Sequence, residues 1–220
     1  MTSAWEVAAV VLGVAYLVLA IRQNPWCWAA ALASTAIYVV LMYQASLYME
    51  SALQFFYIGM AIYGWWCWTK GGAAQAPAAL VAAGAAESRN AGDATGATAS
   101  DPAGPAELPV STWPLRRHLV AVLSIMALTL VSGALLQAYT SAALPFLDSF
   151  TTWGAIVTTY LVARKILENW FYWFAIDSVS VYLYLSRELY LTAGLFLVYL
   201  VLVIFGYRAW RRTWLAMSNA

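Results

Sequence analysis

The sequence predicts an all-α integral membrane protein, in which seven transmembrane helices form two three-helix repeats joined by one helix, a 3+1+3 parallel repeat. Three observations predict this fold class. The chain is 64% hydrophobic and only 10% charged, whereas soluble domains carry about 25% charged residues. Seven apolar stretches are long enough to cross a hydrocarbon core of about 30 Å. Residue patterns of the first third recur in the last third.

One long polar interruption divides the apolar stretches into two groups. We place the helices near 4–21, 25–43, 47–69, 118–139, 149–166, 169–186 and 189–210. The interruption is rich in Ala, Gly, Pro and Ser and has too few bulky apolar residues to build a core, which is typical of disorder. The predicted division is repeat 1 over 1–69, a disordered cytoplasmic loop over 70–117, a linker helix over 118–139 and repeat 2 over 149–212.

The basic residues predict the orientation in the membrane. Of the 11 Lys and Arg residues, only Arg187 lies on one side of the predicted spans, and the others lie on the opposite side. Because cytoplasmic loops carry the excess of Lys and Arg, we expect the C-terminus in the cytoplasm and the N-terminus outside. The formal net charge of +1 gives no indication of a nucleic-acid partner.

Two groups of matching residues define the repeat. Asn24 and Trp28 match Asn169 and Trp173 at an offset of 145 residues. The second group, at an offset of 142, pairs Leu47, Tyr48, Leu53, Tyr57, Gly64 and Trp68 with Leu189, Tyr190, Leu195, Tyr199, Gly206 and Trp210. Two copies of three spans run in the same sense only if one more helix joins them. Transporters built from repeats place their site between the repeats, near the middle of the membrane.

A polar and aromatic stripe on the sixth span is the candidate site. It consists of Trp170, Trp173, Asp177, Ser180 and Tyr184, which share one helical face. A carboxylate that faces lipid is costly, so we expect this stripe to face the bundle interior. With a rise of about 1.5 Å per residue, Asp177 lies about 12 Å from the cytoplasmic end of its span.

Polar residues of two other spans reach a similar depth. Gln54 lies about 10 Å, and Tyr57 and Tyr199 about 15 Å, from the outer ends of the third and seventh spans. Indole faces attract planar or cationic rings by about 0.5–2 kcal/mol, and a carboxylate strengthens the preference for positive charge. The lining therefore predicts a site for a cationic heteroaromatic compound with hydroxyl groups.

Structural roles are the alternative for four of these residues. Trp170 is also placed to anchor the helix at the interface, and Asp177 has Arg164 and Lys165 as candidate ion-pair partners. Gln54 and Tyr57 are also suited to hydrogen bonds between helices, worth about 0.6–2 kcal/mol each.

Motifs for enzymatic chemistry are absent from the sequence. It contains no G-x-x-x-x-G-K-[ST], H-E-x-x-H or G-x-S-x-G pattern. Cys27 and Cys67 stand outside any C-x-x-C pattern, so neither a metal site nor a redox motif is indicated. We therefore predict a transporter that has no cofactor and is not an enzyme. The alternatives are a receptor or scaffold that binds a ligand without moving it, and a membrane enzyme using carboxylates.

Two long motifs resemble a known family. They are A-R-K-I-L-E-N-W-F-Y-W-F-A-I-D-S-V-S-V-Y-L-Y-L-S-R-E-L-Y-L-T-A over 163–193 and L-Y-M-E-S-A-L-Q-F-F-Y-I-G-M-A-I-Y-G-W-W-C-W over 47–68, with G-Y-R-A-W at 206–210. They resemble the PnuC family of bacterial vitamin transporters. The resemblance implies facilitated uptake of nicotinamide riboside for NAD biosynthesis, without ATP hydrolysis, across the bacterial inner membrane. It also implies a layout like that of the SWEET sugar transporters, and a homotrimer.

The resemblance also assigns roles to the candidate residues. Trp170 and Trp173 would stack on the base, and Asn169 and Asp177 would form hydrogen bonds with the substrate. From the other half of the chain, Gln54 and Tyr57 would complete the pocket, to which we add Tyr199. Related branches carry thiamine or riboflavin. Thiamine is the alternative substrate because it is also a cationic aromatic compound, whereas riboflavin is larger and uncharged.

Overall fold

The computed structural model is a helical bundle that describes residues 4–44, 53–70, 108–139, 144–186 and 190–218. Within these ranges the chain forms seven helices, and its only β-type pairing is an isolated bridge between Ser111 and Ile166. The helices are α1 (Ala4–Ile21), α2 (Trp26–Gln44), α3 (53–70), α4 (Leu115–Tyr139), α5 (Pro145–Ala163), α6 (Asn169–Ser186) and α7 (Tyr190–Ser218).

The helix bounds differ from the prediction by three residues or more at four places. One is the end of α5, at Ala163 instead of 166. α4 starts at Leu115 instead of 118, and α5 starts at Pro145 instead of 149. Pro145 is the first residue of α5, where the fixed φ of proline suits a first turn and its missing N–H has no partner in any case. Pro114 immediately precedes α4. α7 continues to Ser218, past the predicted end at 210, so its last two turns extend beyond the length that crosses a hydrocarbon core.

The outer surface of the bundle is apolar. Leu123 and Val131 of α4 are more than half exposed, as are Val201 and Phe205 of α7. By length and hydropathy, α4 and the Ala193–Ser218 part of α7 qualify on their own as membrane spans. A water-soluble chain would bury such side chains, so this surface is suited to contact with lipid.

The last part of the predicted disordered loop 70–117 is ordered. Residues 71–107 lie outside the described ranges, but 108–114 is an extended segment beside the α5–α6 loop. Ser111 N–H donates to the Lys165 carbonyl (3.0 Å), and Leu167 N–H donates to the Ser111 carbonyl (2.8 Å). Leu108 and Val110 are buried because alternate residues of an extended segment face the same side.

Four buried tryptophans, Trp28, Trp68, Trp170 and Trp210, form what we call the tryptophan cluster. Their ring centroids are 5.6 Å apart for Trp28–Trp68, 5.9 Å for Trp68–Trp210 and 5.4 Å for Trp170–Trp210. The first and third pairs are edge-to-face and the second is tilted; edge-to-face pairs contribute about 0.5–1.5 kcal/mol beyond their buried area. The cluster lies beside the α1–α2 and α5–α6 loops, at the end of the bundle that we call the basic end because Arg22, Arg164 and Lys165 lie in these loops.

Contacts at the basic end recur with a spacing of 142 residues. The Trp68 indole N–H donates to the Val162 carbonyl (3.2 Å), and the Trp210 indole N–H donates to the Ala20 carbonyl (2.9 Å). These carbonyls belong to the last turns of α5 and α1, and each also accepts a backbone N–H, Val162 from Lys165 (2.9 Å) and Ala20 from Gln23 (3.0 Å). The indole therefore uses the second lone pair of each carbonyl oxygen. Two residues with positive φ, Gln23 (56°) and Lys165 (49°), follow those turns at the same spacing.

The contacts of two glycines show which tryptophans of the first and last thirds of the chain correspond to each other. A Cβ added at Gly64 would overlap the Trp28 ring, and a Cβ added at Gly206 would overlap the Trp170 ring. Trp28 therefore corresponds to Trp170, and the sequence alignment of Trp28 with Trp173 was wrong by three residues. With the single offset of 142, Thr35 becomes the counterpart of Asp177.

We predict that Gly206→Ala lowers the free energy of unfolding by about 1–3 kcal/mol, because the added methyl group overpacks the contact with the Trp170 ring. Thermal unfolding in detergent micelles measures this effect. Gly194→Ala on the same helix is the control, since nothing lies within 4 Å of its added Cβ. Equal midpoints for the two variants would contradict the prediction.

Candidate functional site

A cavity of about 490 Å³ lies between the first three and the last three helices. All helices except α4 contribute to its walls. Its volume falls within the range of about 300–1,000 Å³ that is usual for small-molecule sites. Its polar and aromatic lining consists of Tyr16, Ser34, Thr35, Tyr38, Gln54, Tyr57, Asp148, Thr151, Thr152, Thr159, Trp173, Asp177, Ser180, Phe196 and Tyr199.

Five of the seven predicted site residues line this cavity. Trp173 and Asp177 come from α6, Gln54 and Tyr57 from α3, and Tyr199 from α7. Ser180 joins them from the predicted stripe, whereas the side chain of Tyr184 lies outside the described part. The helical spacing on α6 thus points Trp173, Asp177 and Ser180 to one side, as the sequence indicated.

The other two predicted residues, Asn169 and Trp170, are absent from the cavity lining. Asn169 is fully buried, and its side-chain amide donates to the Ile166 carbonyl (2.6 Å) within the α5–α6 loop. Trp170 is 1% exposed and packs in the tryptophan cluster. In this structure, Asn169 therefore shapes the start of α6, and Trp170 packs against α7.

Helices α2 and α5 contribute residues that the sequence analysis missed. On α2, Ala31, Ser34, Thr35 and Tyr38 line the cavity, and an offset of 142 relates them to Trp173, Ile176, Asp177 and Ser180. The correct register would therefore have found them. On α5, Asp148, Thr151, Thr152 and Thr159 line the cavity. Their recurrence about every fourth residue was the signal available in the sequence.

The cavity has an asymmetric and acidic lining. Its two ionisable carboxylates are Asp148 and Asp177, and no Lys, Arg or His is among the described residues that line it. Trp173 has the small residue Ala31 as its counterpart, so one wall presents an indole where the corresponding wall leaves room for a ring. This arrangement favours a planar solute that carries positive charge.

Towards the basic end, the tryptophan cluster closes the cavity. Tyr16 lines the cavity, and its ring centroid lies 5.9 Å from that of Trp28. Leu108 and Val110 of the extended segment belong to the same buried core as the cluster. Aromatic and aliphatic side chains therefore separate the cavity from the basic end.

A helical bundle with an apolar surface and a polar, aromatic cavity between two groups of helices defines a membrane transport protein for small solutes. The family model described as nicotinamide mononucleotide transporter matches residues 3–212. The chain therefore belongs to this family, and the resemblance to the PnuC proteins is confirmed. It is a transporter and not an enzyme.

The names of individual relatives state different substrates. The riboflavin/roseoflavin transporter RibM of Streptomyces davaonensis is 26% identical over 201 residues, which cover 91% of this chain and 81% of the relative. The nicotinamide riboside transporter PnuC of Escherichia coli is 23% identical, over 81% of this chain and 73% of the relative. The crystal structure of the vitamin B3 transporter PnuC has a TM-score of 0.64 at 21% identity, covering 96% of this chain and 81% of that chain.

Cysteine labelling tests the position of the cavity. We predict that Thr35→Cys, which places a thiol at a half-buried position in the cavity, reacts with a water-soluble thiol reagent several-fold faster than Ala36→Cys on the same helix, which lies outside the lining on the lipid-facing surface. The native cysteines, Cys27 and Cys67, are buried, so the parent chain should give little background. Equal rates for the two variants would place the aqueous site elsewhere.

Proposed function

We propose that the chain is a facilitator of nicotinamide riboside uptake for NAD biosynthesis across the bacterial inner membrane, working by alternating access without ATP hydrolysis. The observation that carries this proposal is the combination of Trp173 with Asp148 and Asp177 in a cavity whose described lining contains no basic side chain. The nicotinamide ring of this nucleoside is a planar cation. Tyrosine, threonine and serine hydroxyls of the lining suit hydrogen bonds to its ribose.

The lining disfavours the phosphorylated compound that gives the family its description. Nicotinamide mononucleotide carries a phosphate group, which needs arginine, lysine or several backbone N–H groups as partners. In this cavity the phosphate would instead meet Asp148 and Asp177. The nucleoside therefore fits better than the nucleotide.

Riboflavin is a second candidate, and one specific observation favours it. The relative named as a riboflavin/roseoflavin transporter has higher identity, at 26%, than the 23% of the nicotinamide riboside transporter of Escherichia coli. An uncharged flavin gains no electrostatic benefit from the two carboxylates, which is why we place it second. Thiamine is the third compound to compare, because it shares the positive charge and aromatic rings of nicotinamide riboside.

The proposed mechanism uses a 3+1+3 layout. Helices α1–α3 form one unit, α5–α7 form the second, and α4 connects them; the contacts that recur every 142 residues support this division. The two units would rock about the cavity and expose it to each side in turn. The excess of basic residues supports a cytoplasmic basic end, with the N-terminus outside. The homotrimer stays a prediction from the family resemblance.

Substitution of the two tryptophans separates binding from stability. We predict that Trp173→Ala weakens nicotinamide riboside binding about 2- to 30-fold, since an indole contributes about 0.5–2 kcal/mol to a cationic ring. Trp170→Ala should mainly lower the unfolding temperature, because Trp170 packs on Gly206 and Trp210. Calorimetric titration and thermal unfolding on purified protein measure the two effects.

The same preparation decides between substrates and between function classes. Nicotinamide riboside, riboflavin and thiamine are titrated side by side, and each is then tested for flux into proteoliposomes. Saturable binding of nicotinamide riboside with flux supports the proposal. Preference for riboflavin would replace the substrate, and binding of any of them without flux would indicate a receptor.

Asp177→Asn tests the role of charge. We expect it to weaken nicotinamide riboside binding by about tenfold, because a hydrogen bond or contact to a charged group is worth more than the neutral equivalent. The reduced dihydronicotinamide riboside is the control ligand, since it has nearly the same shape without the positive charge. Its affinity should change much less, and an equal loss for both ligands would show that Asp177 acts through geometry.

A further inference from the structure

A second cavity, of about 420 Å³, lies between α6 and α7 at the basic end. Its walls combine two kinds of side chain. Phe171 and Phe174 of α6 and Ile204 of α7 provide an apolar part, and Arg208, Arg211 and Arg212 provide a cationic part. Val203 lines both this cavity and the one between the two groups of helices, but none of the polar residues of that larger cavity lines this one.

The cavity opens on the outer surface of the bundle, where lipid lies. Phe171, Phe174 and Ile204 are 56%, 48% and 45% exposed. A helix needs about 20 residues to cross the hydrocarbon core, and α7 begins at Tyr190. Arg208 is therefore near the boundary of the hydrocarbon core, and Arg211 and Arg212 lie about one turn further, at the depth of the lipid headgroups.

The three arginines have no acidic partner in the part of the chain that the structure describes. The one contact of this kind between a basic and an acidic side chain found there joins His118 to Glu168, at 3.9 Å. Arg208, Arg211 and Arg212 follow one another at i, i+3 and i+4, so they project from one side of α7. Guanidinium groups present planar pairs of N–H donors that match phosphate oxygens.

We propose that this cavity binds an anionic phospholipid of the leaflet at the basic end. The headgroup phosphate contacts the three arginines, and an acyl chain lies against Phe171, Phe174 and Ile204. A free phosphate would use the arginines but leave the apolar wall uncovered, whereas a zwitterionic lipid would cover the wall with less charge complementarity. A phospholipid with net negative charge uses both parts of the cavity.

Native mass spectrometry of the purified full chain measures this binding directly, with dioleoyl phosphatidylglycerol as the probe and dioleoyl phosphatidylcholine as the zwitterionic comparison. We expect tighter binding of phosphatidylglycerol. In the double variant Arg208→Gln/Arg211→Gln, its apparent dissociation constant should rise by about thirtyfold, given the contribution of each basic residue near a membrane surface.

The double variant Arg22→Gln/Arg116→Gln is the matched control. It removes the same charge from exposed positions at the basic end that do not line this cavity, and its phosphatidylglycerol affinity should stay close to that of the parent chain. Ile204→Trp, which fills the apolar part and keeps the arginines, should also weaken lipid binding. Equal losses in both double variants would overturn the proposal in favour of a general charge effect. Competition by millimolar inorganic phosphate, or equal affinity for the two lipids, would also overturn it.

Discussion

Two indole–carbonyl hydrogen bonds hold the basic end of the bundle together. Trp68 of α3 donates to a carbonyl of α5, and Trp210 of α7 donates to a carbonyl of α1, so each group of three helices is bonded to a helix end of the other. Lipid supplies little hydrophobic drive for helix association, and close packing with buried hydrogen bonds must replace it. The contacts of Trp28 on Gly64 and Trp170 on Gly206 provide that packing inside each unit. The position of the cavity between the first three and the last three helices depends on this frame.

The frame is symmetric where helices pack and asymmetric where a ligand would lie. Gly64 and Gly206 are identical counterparts, as are Trp68 and Trp210, because each fills the same space in its unit. In the cavity, Thr35 stands opposite Asp177 in the alignment of the units, and Phe196 opposite Gln54. Packing constrains both copies equally, whereas an asymmetric solute contacts each copy through different groups. The divergence of the lining from the symmetry is thus a physical indication of function.

The sequence predicted the helices and most of the polar and aromatic residues by which α6 lines the cavity. Both predictions depend on local residues alone, through the length of the apolar stretches and the helical spacing. It failed on the register of the units, since Trp170 and Trp173 are both candidates to match Trp28 and only packing on Gly206 distinguishes them. It missed the cavity-lining residues of α5 because threonine in a membrane helix often bonds its own backbone, as the Thr159 hydroxyl does to the Ala155 carbonyl. The extended segment with Leu108 and Val110 was missed because two apolar residues beside a proline give a weak strand pattern.

The hydrogen bonds and glycine contacts also indicate how the units can move in the proposed transport cycle. Opening the cavity towards the basic end must break contacts between units and leave those within each unit intact. Between the two groups of helices at this end lie the two indole–carbonyl bonds and a bond from the Gln23 amide to the Thr213 hydroxyl, each worth about 0.5–1.5 kcal/mol net. The Trp68 and Trp210 rings are also in contact there. Within the units, Trp170 and Trp28 interlock with glycine backbones and have no space to slide. Exchange of these three hydrogen bonds with entering water costs less than repacking the glycine contacts within α1–α3 or α5–α7, which supports rigid rocking of these two groups of helices as the motion in the proposed cycle.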